Sequence, residues 1–370
     1  MSAGAGENSG TTAVRVQHRF DEARLAAWMV DHVAGFAGPL QVEQFKGGQS
    51  NPTYKLLTPT AAYVLRRKPP GQLLKGAHAV EREAQVLSAL AKVRFPVAKV
   101  HGLCVDDSVI GTWFYVMEMV EGRVFWDATL PEVEPHARPA YFDAMNAVLA
   151  QLHQIDPQAI GLSDFGRPGN YFTRQIARWS QQYLGDDEAG RDPNMDRLIE
   201  WLPEHIPAQE EVSIVHGDFR IDNLIFHPTE PRILAVLDWE LSTLGNPLSD
   251  FANHAMMYQM PPHIVAGLAG ADLTALNIPD QAAYIAAYCR RTGRPDIADF
   301  EFYAAFNFFR LAAIFHGIKG RVIRGTAANA HATERAKSFP VLAQIAWARA
   351  RRMMGSHGVE LVHPSPMSAK

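Results

Sequence analysis

The sequence predicts an α+β fold, a small antiparallel sheet towards the N-terminus and a larger, mainly helical part after it. Three observations predict it. Between Leu40 and Val120, short runs rich in β-branched and aromatic residues are separated by Gly, Pro and Thr turns, as strands are. From Ala140 onward, apolar residues recur three and four apart, the spacing of helices with one buried face. A length of 370 residues, 47% of them apolar and 20% charged, suggests about two domains with sizeable cores.

Taken in order, residues 21–33 repeat Leu25, Trp28, Met29 and Val33 on one helical face. Strands follow at 40–45, 53–57 and 63–67, the last pair joined by the turn Thr58-Pro59-Thr60. Between the first two lies Lys46-Gly47-Gly48-Gln49-Ser50-Asn51, where glycines let backbone amides come close enough to cradle a phosphate. A plain β-turn explains the same glycines. Residues 78–93 form a helix with Val80, Ala84, Leu87 and Ala91 on one side. Strands at 97–105 and 113–120 bring the antiparallel sheet to five. Helices are expected at 140–155, 171–184 and 195–202, and from 281 onward.

The composition excludes several classes. A net charge of −4 exerts no pull toward nucleic acid or membrane. Cys104 and Cys289 lie far apart, which fits a reducing cytoplasm and argues against a zinc site or a disulfide framework. No apolar run reaches the eighteen or so residues of a membrane span. Residues 1–14 lack the basic start and apolar core of a secretion signal and are expected to be a disordered tail, as are 358–370.

Chemistry concentrates in the stretch from Ile214 to Glu240. Residues 213–215 read as a buried strand, and two apolar runs, 224–226 and 233–237, flank the turn His227-Pro228 to Pro231. Asp218 and Asn223 share the first loop, and Asp238 closes the second strand of the hairpin. Phosphoryl transfer asks for this set: a carboxylate to take the attacking hydroxyl's proton, and an amide and a second carboxylate to hold magnesium. The spacing Asp218-x4-Asn223 is that of the protein-kinase catalytic loop, with Asp238-Trp239-Glu240 where those enzymes have Asp-Phe-Gly.

His216-Gly217-Asp218-Phe219-Arg220-x-x-Asn223 followed by Leu237-Asp238-Trp239-Glu240 resembles the aminoglycoside phosphotransferase/choline kinase-like superfamily. Within it, the closest resemblance is to bacterial phosphotransferase-family proteins related to the kinase-like domain fused to acyl-CoA dehydrogenases in animals. It covers roughly Gln41 to Lys337. The resemblance implies a protein-kinase-like two-lobe fold, with a nucleotide-binding lobe at 15–120 and a catalytic and acceptor-binding lobe at 121–357. It implies ATP and Mg²⁺ as cofactors and a small-molecule hydroxyl as acceptor. Asp218 would be the base or hydroxyl-orienting group, and Asn223 and Asp238 the metal ligands. Arg220 would clamp the γ-phosphate; a surface pairing with Asp222 is the other reading. Gly47, Gly48, Ser50 and Asn51 would line the phosphates.

Arg66 stands where kinases carry the Lys of their third strand, a departure that still allows a grip on phosphate. Its expected partner is Glu83, with Glu81 the rival. Main-chain groups of Glu118 and Met119 would meet adenine. His216 is expected to be a structural hydrogen-bonder. Asp164-Phe165-Gly166 mimics the magnesium tripeptide but precedes the catalytic loop, and reads as a turn. Asp250 is expected to cap a helix and support the loop. A pseudokinase would not need all three central polar residues, and no flavin fingerprint of an acyl-CoA dehydrogenase is present.

For the acceptor, residues 281–337 hold nine basic residues against four acids, a local net of +5, beside an aromatic run from Phe300 to Phe315. A basic, partly apolar wall suits an anionic acceptor such as a hydroxyacyl-CoA, whereas a cationic aminoglycoside would want acids there. A solvated face of helices is the plainer reading of the same charges.

Overall fold

The structure is a computed structural model and describes residues 10–46, 51–71, 78–167, 169–208, 211–326 and 332–357. The N-terminal elements are β1 (Thr11–Thr12), α1 (Glu22–His32), β2 (Gln41–Phe45), β3 (Thr53–Leu57), β4 (Ala62–Arg67), α2 (Val80–Lys92), β5 (Val100–Cys104), α3 (Asp107–Ile110) and β6 (Phe114–Glu118). The strands form one antiparallel sheet in the order β1-β2-β3-β4-β6-β5. It has six strands, one more than the sequence suggests. The addition is Thr11–Thr12, which pairs with Gln44 and Phe45 although it falls in the stretch assigned to a tail.

Strand alternation decides what each face of the sheet does. Tyr54, Leu56, Tyr63, Leu65, Phe114 and Val116 point to one side and bury Leu25, Met29 and Val33 of the α1 stripe. Each such side chain is worth about 1.5–3 kcal/mol on leaving water. The helix starts where the Asp21 carboxylate accepts the Ala23 and Arg24 N–H groups at 3.0 Å. The residues between, Arg66 and its register partner Tyr115, point to the opposite face, toward α2.

After the sheet come α4 (Arg138–Gln154), α5 (Tyr171–Leu184), α6 (Pro193–Glu204), β7 (Ser213–Val215), β8 (Leu224–Phe226), β9 (Ile233–Val236) and β10 (Thr243–Gly245). Helices α7 (Pro247–Ala255), α8 (Gln281–Thr292), α9 (Phe300–Ile323) and α10 (Ala332–His357) complete the chain. Helix α7 is capped by Asn246, whose Oδ1 accepts the Leu248 and Ser249 N–H groups at 2.9 and 3.1 Å. Asp250, expected to cap, sits inside that helix and is buried. Asn246 takes the cap because Pro247 supplies a first helical position that needs no N–H partner.

The chain divides into two compact units. The first comprises 1–167, 213–244 and 271–292. It holds the sheet, α1 to α4, α8 and the β8–β9 hairpin. The second comprises 168–212, 245–270 and 293–370 and is built of helices. In it α9 packs against α5, α7 and α10 and is therefore buried on several sides. Phe302, Phe306, Phe308, Phe309 and Phe315 are all buried, so the aromatic run is core. Among the described residues no helix is long and apolar enough to cross a membrane.

Gly122 joins the sheet to the hairpin and permits a contact no other residue would. A Cβ there would press into the Phe226 carbonyl oxygen and lie 2.5 Å from Ile225 Cγ2. Next to it, Arg123 exchanges backbone bonds of 2.8 Å with Phe226 in both directions. Gly122→Ala is expected to cost about 1–3 kcal/mol of unfolding free energy, as overpacking does. Urea unfolding measures it, and an unchanged midpoint would show that the hairpin moves aside freely.

Candidate active site

Strand β7 is fully buried and delivers His216 into the interior, where it is 0% exposed. Its Nδ1 accepts the Asp218 N–H at 3.2 Å, and its Nε2 donates to the Leu237 carbonyl at 2.8 Å. With one nitrogen on each loop, the ring is a structural brace between them. Gly217 turns the chain at φ +82°, and a Cβ there would meet the Leu241 carbonyl oxygen at 2.9 Å, so glycine is required.

The next polar side chains converge. Asn223 Nδ2 donates to the Asp218 carbonyl at 2.9 Å and to the Asp218 carboxylate at 3.3 Å. With Nδ2 so committed, the amide oxygen of Asn223 is the end that can serve as a ligand. Arg220 binds Asp222 bidentately, Nε at 3.1 Å and Nη2 at 2.8 Å, and its Nε lies 3.6 Å from Asp218. Burial opposes its charge, but Asp218, Asp222 and Asp238 outweigh that and hold the guanidinium firmly protonated. The two readings of Arg220 thus coexist in its geometry: it is paired with Asp222 and beside the candidate base.

Asp238 comes after β9 in the left-handed conformation, φ 65° and ψ 61°. A non-glycine residue there costs about 1–3 kcal/mol and persists only where its surroundings impose it. Its carboxylate is held by Arg66, whose Nη2 lies 2.8 Å from Asp238 Oδ1 and 3.4 Å from Glu240 Oε2. The same guanidinium forms an ion pair with Glu83, Nε to Oε2 at 2.8 Å. Burial again works against the Arg66 charge and is outweighed, by Glu83 first and then by Tyr115, Asp238 and Glu240.

Glu83 is 2% exposed and accepts two further bonds, from Asn51 Nδ2 at 2.8 Å and from the Tyr115 hydroxyl at 3.1 Å. Burial raises its pKa, and Arg66 pulls the other way. Glu81, the rival, is held by Lys68 at 2.9 Å instead. The sequence alone singles out neither Tyr115 nor Glu240. Tyr115 lies opposite Arg66 because β4 pairs with β6 and not with the next strand in sequence, β5.

At the nucleotide end, Gly47, Gly48 and Ser50 lie outside the described residues. Asn51 is fully buried, with its side chain turned to Glu83 and to His78 Nδ1 at 2.9 Å. That is a supporting position rather than one reaching a phosphate. Glu118 and Met119 line a cleft of about 460 Å³ together with Val97, Val120, Glu121 and Leu234. The Glu118 N–H already donates to the Lys99 carbonyl at 2.8 Å, so an adenine would have to use its carbonyl and the main chain of Met119. Among the described residues no group of three or more His, Cys, Asp or Glu is arranged to hold a metal. The oxygens of Asp238 and Asn223 are of the kind a magnesium takes, its other positions being filled by phosphates and water.

The basic stretch 281–337 looks different once folded. Arg291 pairs with Asp143 at 2.6 Å, Arg324 with Asp186 at 2.8 Å and Glu188 at 3.3 Å, and Arg294 with Glu211. Lys319 donates to the Ala189 carbonyl at 2.5 Å. Acids from outside the window neutralise much of the +5 that a count along the chain produces, so the charge argument for an anionic acceptor loses its basis.

The Arg66–Glu83 pair invites a direct test. Arg66→Gln is expected to cost about 3–5 kcal/mol, because it leaves the buried Glu83 carboxylate without its cation, and Glu83→Gln less, because Arg66 keeps Asp238 and Glu240. The double variant should cost less than the sum of the two. Urea unfolding of the four proteins decides, and strict additivity would mean that the two side chains do not interact.

Comparison with known proteins bears on this geometry. Residues 41–306 match the phosphotransferase enzyme family. Acyl-CoA dehydrogenase family member 10 from Mus musculus is 46% identical over 312 residues, 84% of this chain and 29% of that protein. The chain spans less than half the length of the curated relatives it matches. A solved structure from Ralstonia eutropha JMP134, provisionally named an aminoglycoside phosphotransferase, is 53% identical with a TM-score of 0.83, covering 90% of this chain and 99% of that one. Choline kinase from Cryptosporidium parvum Iowa II, at 12% identity, shares the fold alone, with a TM-score of 0.62 over 92% of this chain and 98% of its own. With its antiparallel sheet, its helical remainder and the loop that joins Asp218 to Asn223, the chain belongs to the phosphotransferase enzyme family and has the two-lobe kinase-like fold.

Proposed function

We propose that the protein is an ATP- and Mg²⁺-dependent small-molecule kinase that transfers the γ-phosphoryl group to an acceptor hydroxyl. The observation that carries this is the meeting of Asp218, Asn223 and Asp238 in one compact unit, with the buried Arg66 against the last of them. The acceptor's oxygen attacks the γ-phosphorus while Asp218 takes its proton. The bond from phosphorus to the ADP oxygen breaks as the new one forms, and ADP departs with that electron pair. Arg220 sits beside Asp218, where it can offset charge on the transferring group. Arg66 would hold the α- and β-phosphates, and Glu83 would keep it in place. Asn223 and Asp238 would hold the metal, which neutralises phosphate charge when bound.

For the acceptor we favour a hydroxyacyl-CoA. The support is the set of relatives named acyl-CoA dehydrogenases, of which this chain resembles one region. A kinase region carried with such an enzyme has a natural acceptor in an alcohol on an acyl-CoA. The Ralstonia protein's provisional name favours a second reading, an aminoglycoside acceptor. Turnover of ATP in a reducing cytoplasm suits either.

Incubation with ATP, Mg²⁺ and a hydroxyacyl-CoA should yield a phosphate monoester by ³¹P NMR, with kanamycin giving none. Ester formation on kanamycin alone would select the second reading, and ATP binding without transfer to any alcohol would make the chain a nucleotide-binding pseudokinase. Chelation of divalent metal should abolish the reaction and excess Mg²⁺ restore it. Asp218→Asn should lower turnover by about a hundred-fold or more while leaving ATP affinity close to wild type. Undiminished turnover in that variant would remove Asp218 from the role of base.

A further inference from the structure

Helix α2 carries Glu83, and the residue before it is engaged elsewhere. The Arg82 guanidinium lies over the Phe165 ring at 4.3 Å, and its Nη2 donates to the Phe165 carbonyl at 2.5 Å. Adjacent helical residues point about 100° apart, so one can grip the turn while the other faces Arg66. Phe165 belongs to Asp164-Phe165-Gly166, the tripeptide that mimics a metal-binding motif and lies upstream of the catalytic loop. Its ring is 1% exposed.

The turn itself cannot shift easily. A Cβ on Gly166 would lie 2.5 Å from the Leu244 backbone nitrogen and 2.5 Å from Thr243 Oγ1. The turn is therefore pressed against the chain that leaves the Asp238–Glu240 segment. Beyond the other end of α2, the Val236 N–H donates to the Pro96 carbonyl at 2.9 Å, and the Phe95 ring meets Trp239 edge-on at 5.9 Å. One end of the helix is thus tied to β10, downstream of Asp238, and the other to the end of β9 and to Trp239, on either side of it.

We propose that Arg82 is a positioning residue: its grip on Phe165 sets the attitude of α2 and so keeps Glu83 against Arg66. The proposal rests on the reading of Arg66 as a ligand of the nucleotide's phosphates. It gives the upstream Asp-Phe-Gly a function, which is to anchor the helix and not to bind metal.

Arg82→Ala removes the stacking and the hydrogen bond together. Arg82→Lys keeps the charge on a flexible stem but loses the planar fork. Calorimetric titration of the full chain with ATP should show weakening on the order of tenfold for the alanine variant and an intermediate loss for the lysine one. Added to Arg66→Gln, Arg82→Ala should weaken ATP binding little further, and the pair should couple likewise in urea unfolding. Full ATP affinity in Arg82→Ala, or additive unfolding free energies, would overturn the proposal. If the unaltered chain binds no ATP, the nucleotide reading has failed by itself. The unfolding cycle then decides on Arg82: coupling upholds the role and additivity ends it.

Discussion

A guanidinium taken out of water must be surrounded by partners, and Arg66 is the guanidinium around which this site is built. Its side chain is 11% exposed and faces Glu83, Asp238 and Glu240. An unpaired charge at such depth costs several kcal/mol, so each partner has to arrive. That requirement orders three elements. Helix α2 must present Glu83, β6 must present Tyr115 to finish Glu83, and the chain after β9 must turn through a left-handed residue to present Asp238. The departure from lysine to arginine supplies the extra donors that three acids need.

Burial sorts the acids by task. Glu83 is 3% exposed in its side chain, whereas Asp218 is 28% and Asp238 36% exposed. The carboxylate buried behind Arg66 is sealed, and the other two are partly open to solvent. His216 keeps that distribution rigid. Because its two ring nitrogens span from the Asp218 amide to the Leu237 carbonyl, the backbone at Asp218 and that just before Asp238 are tied to the same imidazole. Trp239, edge-on to that ring at 4.7 Å, fills the space beside it.

How much of this was legible depended on range. The strands 213–215 and 224–226 are found where the sequence puts them, because short apolar runs between turn residues leave few choices. The choice of Glu83 over Glu81 came from the resemblance, since the matching helix of the family carries Arg-Glu where this chain has Arg82-Glu83, and Glu83 is the one paired with Arg66. Thr11–Thr12 was not, since two residues carry no period and are strand only because β2 offers an edge. Asp250 and Asn246 were exchanged as caps, since both side chains suit the task and Pro247 decides between them. The charge of residues 281–337 misled for a different reason. A window along the chain cannot see Asp143, Asp186 or Glu211, which the fold brings across distances of more than eighty residues.

The Lys68–Glu81 pair is a second attachment between β4 and α2. Arg66 and Lys68 sit two residues apart at the end of β4, and Glu81 and Glu83 two apart on the first turn of α2. One ion pair by itself fixes a point. Two pairs fix a line. A half-buried lysine that also lies over the Trp113 ring at 3.9 Å therefore serves as the second tooth of a ratchet, holding the helix in register so that the first tooth meets its arginine and not the one beside it.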